Sequence, residues 1–241
     1  MTDIIEKNQN ILNKLVNIKS KDFNSYNKQL RLINQLINGG SEDLLVDLLI
    51  KKCAFNKELP NNLDGIIFEI LRKLDNQFIL NKLNSYFRDG LIELNSSLRM
   101  NYQPLQDMLM LQNFQEADKL SQLYLCKLAD LSNSSERNWL YFTDIFALPS
   151  EDLSTIDMLW RLYSHGKFGF SVQRKIWLSN EYNWEIFWHK IHWKDSGVSR
   201  RYPDDFIWSI NAPEGHLPLF NQLRGVQVLS ALFNHPVWDE V

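Results

Sequence analysis

The residues best suited to chemistry crowd into the second half of this chain. Lys194, Arg200 and Arg201 lie among Trp184, Phe187, Trp188, Trp193, Tyr202, Phe206 and Trp208. Cations interleaved with rings suit a flat, largely apolar ligand that carries carboxylates at its edge. The rings take the flat body out of water, while guanidinium groups meet carboxylates through paired hydrogen bonds. Removing roughly 300 Å² of apolar ligand surface from water is worth ~7 kcal/mol at ~25 cal/mol per Å². Lost freedom and loop ordering offset much of this, leaving binding of micromolar to high-nanomolar strength. Plainer readings stand beside this one. A tryptophan is more often core than site, and Arg200 and Arg201 would serve equally as a solvated loop pair.

Covalent catalysis finds little to work with. Ser164, Ser171, Ser179, Cys53 and Cys126 are the candidate nucleophiles, and none has an activating motif around it. Asp152 and Asp157 are five positions apart, so a helix would not present both on one face. Asp152 suits the positive end of a helix, whereas Asp157 reads as a buried structural acceptor. Asp118 admits both readings. His189 and His192 are three apart, and His165 and His216 stand near glycines, but acidic partners at matching offsets are missing. No glycine loop that could cradle phosphate is present, so ATP use is not expected. We therefore expect a binding protein, not an enzyme, with no catalytic residue and no metal site.

Helices must position these groups. Ile156, Leu159, Trp160 and Tyr163 recur at helical spacing as one apolar stripe. Ser164-His165-Gly166 stops that helix, with Gly166 free to enter the left-handed region. Phe168 and Phe170 flank Gly169, so two rings can project from a tight bend whose backbone comes close to something else. Ser171 is the expected N-cap of the next helix, which carries Val172, Ile176 and Trp177 inward. Helices are predicted at about 105–113, 116–130, 136–147, 152–163, 171–180 and 183–190. Between Trp193 and Phe206 the chain is polar, contains glycine and has no periodicity, a loop of functional length. A short extended piece around Phe206–Ile210 is the one exception to an all-α reading.

The first 95 residues read differently. All eight Trp and all five His lie at or beyond Trp139. Before them, Ile4, Ile11, Leu15 and Ile18 form one amphipathic stripe, and Phe23, Tyr26, Leu30, Ile33 and Ile37 a second. Gly39-Gly40 closes that second helix, and Ser41 opens a third with Glu42 and Asp43 at its positive end. Leu44, Leu45, Leu48 and Leu49 continue it. After the break at Pro60-Asn61-Asn62, Ile66, Ile67, Ile70, Leu71 and Leu74 resume, followed by Phe78, Ile79, Leu83 and Phe87. Short breaks favour an antiparallel helical bundle. The polar run 95–101 is the expected boundary, giving a bundle at 1–95 and a second all-helical domain at 102–241.

Composition narrows the class further. The 241 residues, 44% hydrophobic and 23% charged, are ordinary for a globular protein. A net charge of -3 argues against a general nucleic-acid binder. Cys53 and Cys126 sit on apolar stripes and read as buried free thiols in a reducing compartment. No apolar run approaches the ~20 residues that span a bilayer. The start, Met1-Thr2-Asp3-Ile4-Ile5-Glu6, resembles neither a secretory signal nor a transit peptide, so the protein is expected to act where it is made. Abundant Asn, Lys and Ile would suit an AT-rich genome such as a plastid's.

The corner from Ile156 to Gln173, together with the preceding Pro149–Ile156, resembles the signature of the genomes-uncoupled-four family. The similarity extends to Phe114-Gln115-Glu116-Ala117-Asp118 and to Asn211-Ala212-Pro213-Glu214-Gly215-His216-Leu217-Pro218, covering most of 102–220. Phe114, Ser121 and Leu148 stand where that family usually has Trp, Thr and Phe. The resemblance implies a tetrapyrrole-binding regulator of magnesium chelatase that takes protoporphyrin IX and Mg-protoporphyrin IX as ligands. It implies contact with the large porphyrin-binding subunit of magnesium chelatase in chlorophyll biosynthesis, for photosynthesis. It also implies a plastid (chloroplast) setting if the chain is plastid-encoded, and a cyanobacterial cytoplasm otherwise. Peripheral membrane association stays open. On the family motif, Phe168, Phe170 and Gln173 would shape the floor of a porphyrin cradle; Asn211, in the similar downstream stretch, is a further porphyrin-binding candidate. On composition, Phe187, Trp188, Trp193 and Phe206 would form its walls, and Arg200 and Arg201 its rim. An axial histidine ligand to a metalloporphyrin also stays open. The alternatives are a helical protein-interaction adaptor that binds no ligand and a haem- or bilin-binding sensor.

Overall fold

The computed structural model describes residues 2–18, 23–94, 100–129, 139–195, 197–219 and 226–239. It divides into two compact units, Met1–Glu93 and Leu94–Val241. The predicted boundary at 95–101 falls mainly on positions outside the described residues. The all-α reading holds. Among the described residues, twelve α-helices accompany only a minor two-stranded sheet.

The first unit contains α1 (Thr2–Val16), α2 (Phe23–Asn38), α3 (Glu42–Leu49), α4 (Asn62–Arg72) and α5 (Gln77–Phe87). Helix α3 touches the other four, so its Leu45, Val46 and Leu49 lie at the centre, fully buried. Gly40 takes a φ of +64° after α2, as the pair Gly39-Gly40 predicts. The α2 core face runs through Gln29, Ile33 and Leu36, so predicted Leu30 and Ile37 flank it half-buried. Ile4 and Phe23 lie outside the described side chains. Ser41 precedes α3 without capping it; its hydroxyl instead accepts from Asn8 Nδ2 at 2.7 Å. Asn61 is the stronger start signal, since it and Asp64 form a reciprocal capping box on α4. A π-helical turn, Ile50–Phe55, extends α3, which periodicity did not foretell. Phe78, assigned to the core by its spacing, is exposed, while Ile79, Leu83 and Phe87 are buried.

The second unit contains α6 (Gln103–Met110), α7 (Phe114–Leu128), α8 (Phe142–Ile145), α9 (Ser150–Tyr163), α10 (Phe170–Ser179), α11 (Trp184–Lys190) and α12 (Val226–Phe233). Strands β1 (Lys194–Asp195) and β2 (Val198–Ser199) form an antiparallel hairpin between α11 and α12. The predicted helix at 136–147 shrinks to the single turn α8, and its first three residues lie outside those described. The extended piece expected at 206–210 is irregular chain; the strands lie earlier, inside the loop itself. A hairpin of two residues per strand is too short to leave an alternating pattern in the sequence.

The α9–α10 corner is built around one buried carboxylate. Asp157 Oδ1 accepts from the Ser171 amide at 2.8 Å, and Oδ2 accepts from the Ser171 hydroxyl at 2.7 Å and Arg161 Nε at 2.8 Å. Asp157 thus occupies the N-terminus of α10 in place of a local cap, so Ser171 is held by a cap supplied from α9 and is not the cap itself. Gly169, with φ +134°, precedes α10 because a Cβ there would lie 2.8 Å from Asp157 Oδ1 and 3.1 Å from Arg161 Cγ. His165 and Gly166 both take positive φ at the end of α9, and the Gly166 amide bonds the Arg161 carbonyl at 2.7 Å. Burial pushes the Asp157 carboxyl up, against Arg161 and Ser171, which favour its charge.

Phe114, Ser121 and Leu148 are all buried. Ser121 Oγ accepts from Trp160 Nε1 at 2.9 Å. Phe114 stacks on Trp160 with centroids 6.0 Å apart and meets Phe168 edge-on at 5.3 Å. Both cysteines are buried, and neither forms a disulfide.

Two predictions follow from the corner. Asp157→Ala should cost about 3–5 kcal/mol in urea unfolding, because it strands Arg161 and the α10 amide; Asp157→Asn should lose less. Loss within error of zero would remove Asp157 from this role. The second concerns pH. Burial pushes Asp118 up to about 8, although it accepts the Leu219 amide at 2.6 Å. The folded carboxyl keeps its proton while the unfolded one ionises above its ordinary range, so stability falls as pH rises from about 4 to 8. Asp118→Asn retains the acceptor and should flatten that slope. Parallel slopes for parent and variant would contradict it.

Candidate functional site

The loop after α11 is held at both ends by one imidazole. His216 is fully buried, and its Nδ1 lies 2.6 Å from the Ile191 carbonyl while its Nε2 accepts the Ile207 amide at 3.0 Å. The His216 carbonyl accepts Trp193 Nε1 at 2.8 Å. Between these anchors the chain forms the hairpin and then a tight turn. The Arg200 amide bonds the Trp193 carbonyl at 2.9 Å, and the Arg201 amide donates to Asp205 Oδ2 at 2.8 Å. Arg200 Nη1 donates to the Asp205 carbonyl at 2.8 Å. Arg200 Nε is buried with no hydrogen-bond partner among the described residues. Arg201 projects into solvent.

The predicted site residues separate into two depths. Phe168, Phe170 and Phe187 are fully buried, and Trp193 and Phe206 nearly so. They are core rings, deeper than the open floor and walls expected of them. The reason is helical phase and satisfied polar groups. Phe187 and Ile191 face inward one turn apart on α11, Trp193 spends its indole donor on His216, and Phe206 packs 5.5 Å from the His216 ring. Gln173 is buried too, and its Nε2 donates to the Gly215 carbonyl at 2.9 Å and the Pro218 carbonyl at 2.8 Å. It clamps backbone. Trp188 and Arg200 are half-buried, and Arg201 and Asn211 are exposed. These four reach the surface.

Other residues accompany them there. Lys194 Nζ lies 5.6 Å from the Trp188 ring centroid and 2.7 Å from Glu185. Tyr202, 44% exposed, meets the half-buried Trp208 edge-on at 5.9 Å. Ile186 is 45% exposed and Val198 68% exposed, so the α11–hairpin region presents apolar side chains beside its cations. Ile186 could have been found as an apolar residue off the inward phase set by Phe187 and Ile191. Val198 carried no such signal. His189 and His192 are exposed, and no group of three metal-ligating side chains occurs among the described residues. No described helix is long and apolar enough to cross a membrane.

The surface can therefore offer ring faces, aliphatic edges and guanidinium donors to a flat anion. The described loop holds arginines, lysine and rings in place by backbone hydrogen bonds. Beneath it, the segment through Gly215 packs so tightly that a Cβ there would lie 2.6 Å from Ile176 Cδ1.

Comparison with known proteins shows which family the chain matches. A family model described as GUN4-like matches residues 95–236, which lie within the second unit. The ycf53 protein of Porphyra purpurea is 46% identical over 222 residues, covering 91% of this chain and 93% of its own. The chloroplastic tetrapyrrole-binding protein of Arabidopsis thaliana is 38% identical over 143 residues, covering 56% of this chain and 54% of its own. The structure of GUN4 from Chlamydomonas reinhardtii superposes with a TM-score of 0.56 at 39% identity, covering 61% of this chain and 95% of that one. With the match spanning more than half its length and including the α9–α10 corner, this chain belongs to the GUN4-like family.

Proposed function

We propose that the second unit, Leu94–Val241, binds protoporphyrin IX and Mg-protoporphyrin IX on the α11–loop surface and regulates magnesium chelatase without catalysing a reaction. The observation that carries this reading is a pair of arginines on a backbone-braced loop, with Trp188, Tyr202 and Trp208 presenting rings in the same region. A porphyrin needs both: apolar faces for the macrocycle and donors for its propionates. Arg200 is half-buried with Nη1 on its own turn, and Arg201 carries its charge into solvent. The Arabidopsis relative is named a tetrapyrrole-binding protein, which supports the same ligand class and a chloroplast setting.

In this reading Trp188, Arg200, Arg201 and Asn211 hold the ligand, joined by Ile186, Val198, Tyr202 and Trp208. Phe168, Phe170, Gln173, Phe187, Trp193 and Phe206 act from beneath by fixing the loop and the helices that bear it. Regulation would consist of delivery to, and product withdrawal from, the large porphyrin-binding subunit of magnesium chelatase. The chain itself would make and break no covalent bond.

Titration with deuteroporphyrin should quench tryptophan fluorescence, because half-exposed Trp188 and Trp208 lie at the surface assigned to the ligand. Absence of quenching and of any Soret change would favour a helical adaptor. Combined Arg200→Glu and Arg201→Glu should weaken binding at least roughly tenfold, the loss of one or more charge-assisted hydrogen bonds. An unchanged dissociation constant would remove the arginines from the site. Chelatase subunits should be retained on the immobilised protein more strongly with porphyrin present than without it.

A further inference from the structure

The loop that bears Arg200 and Arg201 leaves the core at Ile191 and returns at Ile207. Both points are tied to the same side chain. His216 Nδ1 meets the Ile191 carbonyl at 2.6 Å, and His216 Nε2 meets the Ile207 amide at 3.0 Å. A carbonyl can only accept and an amide can only donate, so a single neutral tautomer, protonated on Nδ1, satisfies both. The width of one imidazole thus fixes the separation of the loop's two ends. The His216 backbone also holds Trp193 Nε1, and its ring packs on Phe206, so both flanks of the loop meet this residue.

We propose that His216 is a positioning residue for ligand binding: by pinning Ile191 and Ile207 together it presents Arg200 and Arg201 in a fixed orientation. The proposal rests on the reading of this loop as the ligand surface. His216 itself is fully buried. Burial holds the ring neutral, lowering its pKa to about 4, with Arg200 and His192 as the nearby cationic or titratable groups opposing its charge. The ring contributes binding strength by restricting the loop beforehand, so less ordering remains to be done when a ligand arrives.

Glutamine, asparagine and phenylalanine at this position separate the two bonds from the shape. A glutamine amide reaches the Nε2 place and can still accept the Ile207 amide. An asparagine amide reaches only the Nδ1 place and can serve Ile191 alone. Phenylalanine keeps the volume and serves neither. With deuteroporphyrin as probe, His216→Gln and His216→Asn, each keeping only one of the two ties, should bind about tenfold more weakly than the parent, the loss of one buried hydrogen bond's constraint, and His216→Phe, which keeps neither, more weakly still. Adding Arg200→Glu and Arg201→Glu to His216→Asn should cost less than it costs the parent, because the histidine acts through the arginines. Fully additive losses would make His216 a general stabiliser and overturn the proposal.

A ligand-free readout keeps the proposal separate from the assignment of the site. Amides from Arg200 to Ile207 should exchange hydrogen faster in His216→Asn and in His216→Gln than in the parent, with the helices unchanged in both. Exchange in that loop as slow as the parent's would overturn the proposal whether or not porphyrin binds. Failure of the parent to bind porphyrin, with the exchange difference present, would instead remove the assigned ligand surface and leave the positioning of the loop established. Should His216→Phe fail to fold, the Gln and Asn variants, neutral amides one methylene apart, carry the comparison.

Discussion

An irregular stretch of backbone runs through the core of the second unit, and its peptide groups must all find partners there. Buried polar backbone without hydrogen bonds costs as much as the bonds themselves would. Between Gly215 and Leu219 the partners come from several elements. Gln173 serves the carbonyls of Gly215 and Pro218, the Gly169 amide serves that of Leu217, and Trp193 serves that of His216. Asp118 takes the amide of Leu219, and the Lys167 carbonyl takes that of Gly215. Helices α7 and α10 and the chain that follows α11 are thereby joined through a segment that is not itself helical. The corner between α9 and α10 exists in the form it does because this segment must be received.

That constraint explains the two depths of the candidate site. A residue committed to holding buried backbone cannot also face a ligand, so Gln173 and Trp193 lie beneath the surface. Burying large rings around them stabilises the arrangement by about 1.5–3 kcal/mol for each side chain taken out of water. The loop above can then be polar and irregular without being loose, because His216 and the Asp205 turn fix it locally. Specific binding by a loop requires such bracing, since ordering a free loop would consume the energy of contact. The two arginines differ in consequence. Arg200 is partly engaged by its own turn, whereas Arg201 is exposed.

Much of the fold was legible because helices leave a period. The stripe Ile156, Leu159, Trp160 and Tyr163 located α9, and Gly166 located its end, where φ is indeed positive. The tight approach at Gly169 was legible as well, since two rings flanking a glycine imply a bend that tolerates no Cβ. What the sequence did not disclose was depth. A phenylalanine reads alike whether it lines an open wall or a closed core, and only the phase of α11 relative to its neighbours decides for Phe187. The hairpin at 194–199 was too short to show alternation, and the Asp157 bond to Ser171 joins residues fourteen apart. Local patterns locate elements; partners from other elements decide what each side chain is for.

The account separates rings that support the surface from rings that meet the ligand, and the indole N–H resonances report on that separation directly. Each of the eight tryptophans gives one signal, and a bound porphyrin shifts nearby nuclei strongly through its ring current. On addition of deuteroporphyrin, the signals of Trp188 and Trp208 should move most, while those of buried Trp160 and Trp193 should stay nearly in place. Large shifts at Trp160 and Trp193, with Trp188 and Trp208 unmoved, would place the macrocycle in the core and contradict the account.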